Sequence, residues 1–140
     1  MSDLAKLRGD HADVIKLVRR LGDYVEQPVP PPQIDLFALR RELTSTLIAH
    51  LKSEDWVLYP RLMNSGDAAV ADTARAFSEE MGGLASAFLS YTESWSANAI
   101  AGDWPGYCRD TRTIIDALTN RITRENRELY PLLEQLDKAA

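Results

Sequence analysis

Apolar residues recur along this chain at the spacing of helix faces. Leu4, Leu7, Val14, Ile15, Val18 and Leu21 stand on one such face, which predicts a helix over about residues 2–26 with His11 on its buried stripe. The run Pro28-Val29-Pro30-Pro31-Pro32 removes backbone donors and fixes extended geometry, so this helix stops before it and a stiff connector follows. A second helix, about residues 34–64 and starting near Pro32 to Asp35, carries Leu39, Leu43, Leu47, Val57 and Leu58 as its buried stripe, with His50 and Glu54 on it. Asn64-Ser65-Gly66-Asp67 reads as a turn with an N-cap. The third helix, about residues 67–100, runs through Phe77, Met81, Leu84, Phe88, Tyr91 and Trp95 and is weakened at Gly82-Gly83. Asp103 as N-cap and Pro105 in the first turn open a fourth, about residues 104–137. It buries Tyr107, Ile114, Leu118, Leu129, Leu132 and Leu136, with Arg121 and Glu125 on the same stripe.

Four long helices and short connectors predict an all-α fold, an antiparallel up-down-up-down four-helix bundle. There is no strand signal, and 140 residues are expected to form one domain over residues 1–140.

The second and fourth helices repeat each other at an offset of 71 residues. Leu43 aligns with Ile114, Leu47 with Leu118, Leu51 with Ile122, Glu54 with Glu125, Leu58 with Leu129, and Tyr59-Pro60 with Tyr130-Pro131, while His50 falls opposite Arg121. Proline inside a helix removes a hydrogen bond and predicts a kink. A Tyr-Pro pair following a glutamate in both halves is therefore a deliberate feature. Residues four apart share a helix face, so His50 and Glu54 can aim an imidazole and a carboxylate at one point inside a bundle. A borderline cation such as iron accepts both, and His11 would add a third ligand from another direction.

The balance of 45% hydrophobic and 26% charged residues is that of a globular chain. A net charge of −5 argues against general affinity for nucleic acid or anionic membranes, and Arg19-Arg20 and Arg40-Arg41 are too short to reverse it. The charged first twenty residues hold no apolar run for a signal or a membrane span, and the single Cys108 excludes an internal disulfide. Both point to a cytoplasmic protein. Trp56 and Trp104 are expected to be partly exposed, and Met81, among Phe77, Leu84 and Phe88, to be packing.

These residues resemble the hemerythrin-like family of cation-binding bundles, the HHE domains, over essentially the whole chain. The resemblance rests on Asp10-His11, on His50 to Glu54 with Leu58-Tyr59-Pro60, on Glu79-Glu80-Met81, and on Glu125 with Leu129-Tyr130-Pro131. It implies residual metal-ligand positions at His11, His50, Glu54 and Glu125. It also implies histidines in the third helix and four residues before the last carboxylate, where this chain has Met81 and Arg121. A di-iron site thereby loses two ligands and gains a fixed cation, because arginine does not deprotonate in proteins. Arg121 is expected to reach Glu125 within its own helix and Glu54 across the bundle, forming a buried charge cluster. Two glutamates, one arginine and one protonated histidine, His11 or His50, would sum to neutrality.

Three functional classes follow. The first is a metal-free binding or regulatory module acting on a protein partner or a small ligand, with no cofactor. The second is a sensor or carrier of oxygen or nitric oxide holding one iron or other divalent metal on His11, His50, Glu54 and Glu125. The third, a di-iron enzyme, needs paired redox metals with open positions and is the least compatible with the residues present.

Overall fold

The Pro-rich connector and two further breaks cut the chain into four antiparallel rods. The computed structural model describes residues 2–139, with side chains for residues 4–138. The first rod is α1 (Ser2–Val25); the second is α2 (Gln33–Ser53), a π-helical turn at Glu54–Leu58, and α3 (Tyr59–Met63). The third contains α4 (Ala68–Met81) and α5 (Leu84–Ser94), and a short α6 (Ala97–Gly102) leads on from it. The fourth is α7 (Trp104–Arg124), a π-helical turn at Glu125–Leu129, and α8 (Tyr130–Ala139). Among the described residues there is no strand. α1 packs on α2 and α7, α5 on the same two helices, and α3 on α4, so the rods close into a ring.

Helix starts follow local chemistry. Asp67 accepts from the Val70 N–H (3.2 Å), Ser96 from Ala99 (3.2 Å) and Asp103 from Gly106 (3.0 Å), each satisfying an orphan donor of a first turn. The third helix is not continuous over 67–100 as its apolar spacing suggests. It breaks at Gly82, where an added Cβ would lie 2.4 Å from the Ser78 carbonyl oxygen, and again after Ser94.

Three burial expectations need correction. Val57 is 64% exposed, because the π turn that begins at Glu54 delays the stripe by a residue and turns Leu58 and Tyr59 inward instead. The matching turn in the fourth rod buries Leu129, Tyr130 and Leu133 and leaves Leu132 and Leu136 only partly covered. Trp104 is buried, with its indole N–H donating to the Gln27 carbonyl (3.0 Å) and its ring stacked on Tyr107, while Trp56 is exposed.

Two apolar clusters result. The larger holds Val14, Leu21, Leu43, Leu47, Phe88 and Leu118 among others, and the smaller holds Leu7, Leu58, Leu62, Phe77, Leu129 and Leu133. Each fully buried Leu or Phe contributes on the order of 1.5–3 kcal/mol relative to exposure. On the first, second and fourth rods the switch from one cluster to the other happens at buried polar residues that form one layer, while on the third it falls at Gly82-Gly83, between Met81 and Leu84.

Candidate metal centre

Both π turns begin at a repeat glutamate. Within each, the tyrosine N–H reaches back five residues, Tyr59 to the Glu54 carbonyl and Tyr130 to the Glu125 carbonyl. A proline next in line has no N–H to offer and would crowd the carbonyl four residues back, so the wider turn accommodates Pro60 and Pro131 without breaking the rod. The predicted kinks therefore take this form. In a straight α-helix a residue five positions after the glutamate would point elsewhere. Here the extra residue returns Tyr59 and Tyr130 to the face their glutamates share.

The structure brings His11, His50, Glu54, Arg121 and Glu125 together, each 3% exposed or less. Glu54 Oε1 lies 3.2 Å from Arg121 Nη2 and 3.1 Å from His50 Nε2, and Oε2 accepts from the Tyr130 hydroxyl (2.6 Å). Glu125 Oε1 lies 3.1 Å from His11 Nε2, and Oε2 accepts from Arg121 Nε (3.1 Å) and from the Tyr59 hydroxyl. Three of the four carboxylate oxygens thus accept from Arg121 or a tyrosine, and the fourth, Glu125 Oε1, faces His11 Nε2, which donates to it only when His11 is doubly protonated. Arg121 also donates to Asp55 Oδ1 (2.8 Å) and to the Met81 carbonyl (3.1 Å), so one guanidinium ties α7 to the second and third rods. Its plane lies near the Tyr59 ring, 5.3 Å from the centroid.

The electrostatics follow from burial opposed by partners. Burial alone would raise the Glu54 carboxyl, but His50, then Arg121 and the Tyr130 hydroxyl outweigh it and bring it to about 2. Burial raises Glu125, and the nearby Glu54 charge adds to this, outweighing His11, Arg121 and Tyr59. Burial disfavours a charged His50, yet Glu54, Asp10 and Glu125 raise it above the ordinary imidazole value. Asp10, which bonds His50 Nδ1 at 3.0 Å, is lowered against its own burial by that contact and by Lys6. Arg121 is held still more firmly protonated than usual by Glu125, Tyr59, Glu54 and Asp55, despite its burial. Both tyrosines are raised, first by burial, and so remain donors.

Among the described residues, one set has metal-ligating chemistry. Ligand atoms of His11, His50, Glu54 and Glu125 all lie within 4.8 Å of one another. A single ion with bonds of about 2.1 Å keeps its ligands within roughly 4.2 Å of each other, close to this span. His50 Nε2 supports such a fit, since it is buried and 3.1 Å from Glu54 without an aligned hydrogen bond. Two ions do not fit the donors present. Met81 offers a sulfur that accepts from the Asn120 amide (3.8 Å), and Arg121 offers no lone pair at all.

Sequence reasoning placed His11, His50, Glu54, Glu125, Met81 and Arg121 but assigned no site role to Asp10, Asp55, Tyr59, Tyr130 or Asn126. The Tyr-Pro repeat is the signal for the tyrosines, although proline chemistry by itself points only to a kink. Asp55 and Asn126 each follow a repeat glutamate, a position that faces the cluster only because the π turn begins there.

The chain matches the family model of the hemerythrin HHE cation binding domain over residues 2–133. No curated protein and no solved structure matches it.

Proposed function

Because the chain belongs to the hemerythrin HHE cation-binding family, we propose that it is a member in which a guanidinium has taken over from the paired metals, leaving a metal-free binding or regulatory module rather than an enzyme. The observation that carries this is Arg121. It is 1% exposed and donates to Glu54, Asp55, Glu125 and the Met81 carbonyl. An ion at this point would have to draw on the same carboxylate oxygens while standing beside a permanent positive charge. Among the fully buried members, Glu54, Glu125, Arg121 and a protonated His50 sum to zero, while the part-exposed Asp55 and Asp10 bond Arg121 and His50 from the edge of the layer. Removing a counter-charge from such a layer strands a buried carboxylate, at a cost of several kcal/mol.

A second reading rests on His50 Nε2. That buried nitrogen lacks an aligned partner and faces the cluster, so one iron on His11, His50, Glu54 and Glu125 would make the chain a mononuclear sensor or carrier of oxygen or nitric oxide. Arg121 opposes it by charge. A cytoplasmic setting suits either reading, since Cys108 is a buried free thiol, and among the described residues no helix is long and apolar enough to cross a membrane.

Expression with added iron, followed by metal analysis and an ultraviolet-visible spectrum, tests the proposal. It predicts no stoichiometric iron. Two irons per chain with oxo-bridge absorption would overturn it, and one metal per chain would favour the second reading. Met81→His combined with Arg121→His should restore iron uptake, because it returns two imidazoles to the layer and removes the competing cation.

A further inference from the structure

A shallow groove of about 490 Å³ runs along the outside of the bundle between α1 and the fourth rod. Ala12 and the partly exposed Ile15, with the buried Ile122 beneath, give it a narrow apolar floor, and Arg8, Lys16 and Arg19 stand along it with no carboxylate among its lining residues. In a chain of net charge −5 this is a local reversal of sign. The three cations are weakly engaged. Arg8 comes only within 3.7 Å of Glu134, a pair with both side chains close to half exposed, and Lys16 and Arg19 form no ion pair or hydrogen bond among the described residues. Toward the end of the fourth rod the surface changes character, with Glu134 and Lys138 lining a neighbouring depression. The basic stretch is therefore bounded.

We propose that this groove docks an acidic amphipathic helix of a partner protein. Shape decides against a small ligand, which typically buries 70% or more of its surface in an enclosed site. This groove is open along its length. From Arg8 to Arg19 it follows α1 for about 16 Å, three turns of a helix at 1.5 Å per residue. A partner helix would lay an apolar stripe on Ala12 and the partly exposed Ile15 and set its carboxylates against the three cations, which also steer the approach. The groove meets the buried layer at one point, where exposed Asn126 accepts from His11 Nδ1 at 2.8 Å. Docking there therefore bears directly on a hydrogen bond of the polar cluster.

This inference rests on reading the chain as a binding module, and its test is separate from metal content. The probe is a synthetic helical peptide of about twelve residues, with leucines on one stripe and glutamates elsewhere. It is compared with a scrambled peptide of the same composition and with a lysine-for-glutamate counterpart, by fluorescence anisotropy at low and high salt. The striped acidic peptide should bind, weaken as salt rises, and shift the NMR signals of His11 and the Asn126 side-chain amide. Lys16→Glu combined with Arg19→Glu should weaken it about tenfold with Tm unchanged, since both side chains are exposed and unpartnered. Equal binding of the scrambled or basic peptide, unchanged affinity in the reversal variant, or no binding would overturn the proposal. So would light scattering that shows a dimer of this chain abolished by the same reversal. Iron uptake by a chain that still binds the peptide would contradict the metal-free reading and leave the groove standing.

Discussion

Two arginines are buried in this bundle, and their surroundings differ in kind. Arg40, in the larger apolar cluster's half, donates to the carbonyls of Trp95 (2.8 Å) and Thr92 (3.0 Å) and lies over the Phe37 ring, 4.7 Å from its centroid. It closes the end of α5, where helix carbonyls lack partners and a cation is favoured by the dipole. Arg121, in the polar layer, faces three carboxylates. The first arginine finishes a helix, while the second neutralises charge that has nowhere else to go. Burial of an arginine is therefore not by itself a sign of a site; the formal charge of its acceptors is.

The comparison breaks most sharply under truncation. Arg121→Met should cost about 3–5 kcal/mol in denaturant unfolding, because Glu54 and Glu125 would then face each other uncompensated. Adding Glu125→Gln should recover part of that loss, since one of the stranded charges goes with it. Arg40→Met should cost less, about 1.5–3 kcal/mol, the range for losing hydrogen bonds to a charged donor. If the two single variants lose equal stability and Glu125→Gln rescues nothing, the charge-balancing role of Arg121 is wrong.

Titration separates the two regions next. The folded value of His50 is raised, so its contribution is fully present below about pH 6.5 and is lost as pH rises through the folded value. Glu54 is depressed from 4.5 to about 2, so its contribution is present above about 4.5 and is lost as pH falls through about 2. Stability measured by unfolding should thus form a plateau between those limits. His50→Gln should flatten its alkaline arm, and Arg40→Met should leave both arms in place. The smallest effect is expected at Asp55. Its carboxyl is raised, chiefly by burial, so the Arg121 contact only partly offsets the cost of charging it. Asp55→Asn should change stability by no more than about 1 kcal/mol at pH 7.

Much of this architecture was legible in the sequence. The four apolar stripes gave the rods, and the repeat relating Glu54 to Glu125 gave the polar layer and the inward-facing Arg121. What periodicity missed traces to one cause. A stripe read with a constant helical repeat carries Val57 inward and leaves Tyr59 and Tyr130 without a role, whereas the π turns reverse both assignments. The break at Gly82 was visible as a weak point, but its close approach to the Ser78 carbonyl, one turn back in the same helix, depends on the exact backbone geometry of the helix end and not on residue type. In the sequence Arg40 stands out only as half of a short basic pair, since a helix end 55 residues away leaves no local trace.

The most direct test is a crystal structure of the protein produced and crystallised with excess iron. The account predicts the guanidinium of Arg121 lying between Glu54 and Glu125, with no anomalous iron signal at the layer. Two iron peaks bridged by those carboxylates, with residue 121 turned to solvent, would contradict it.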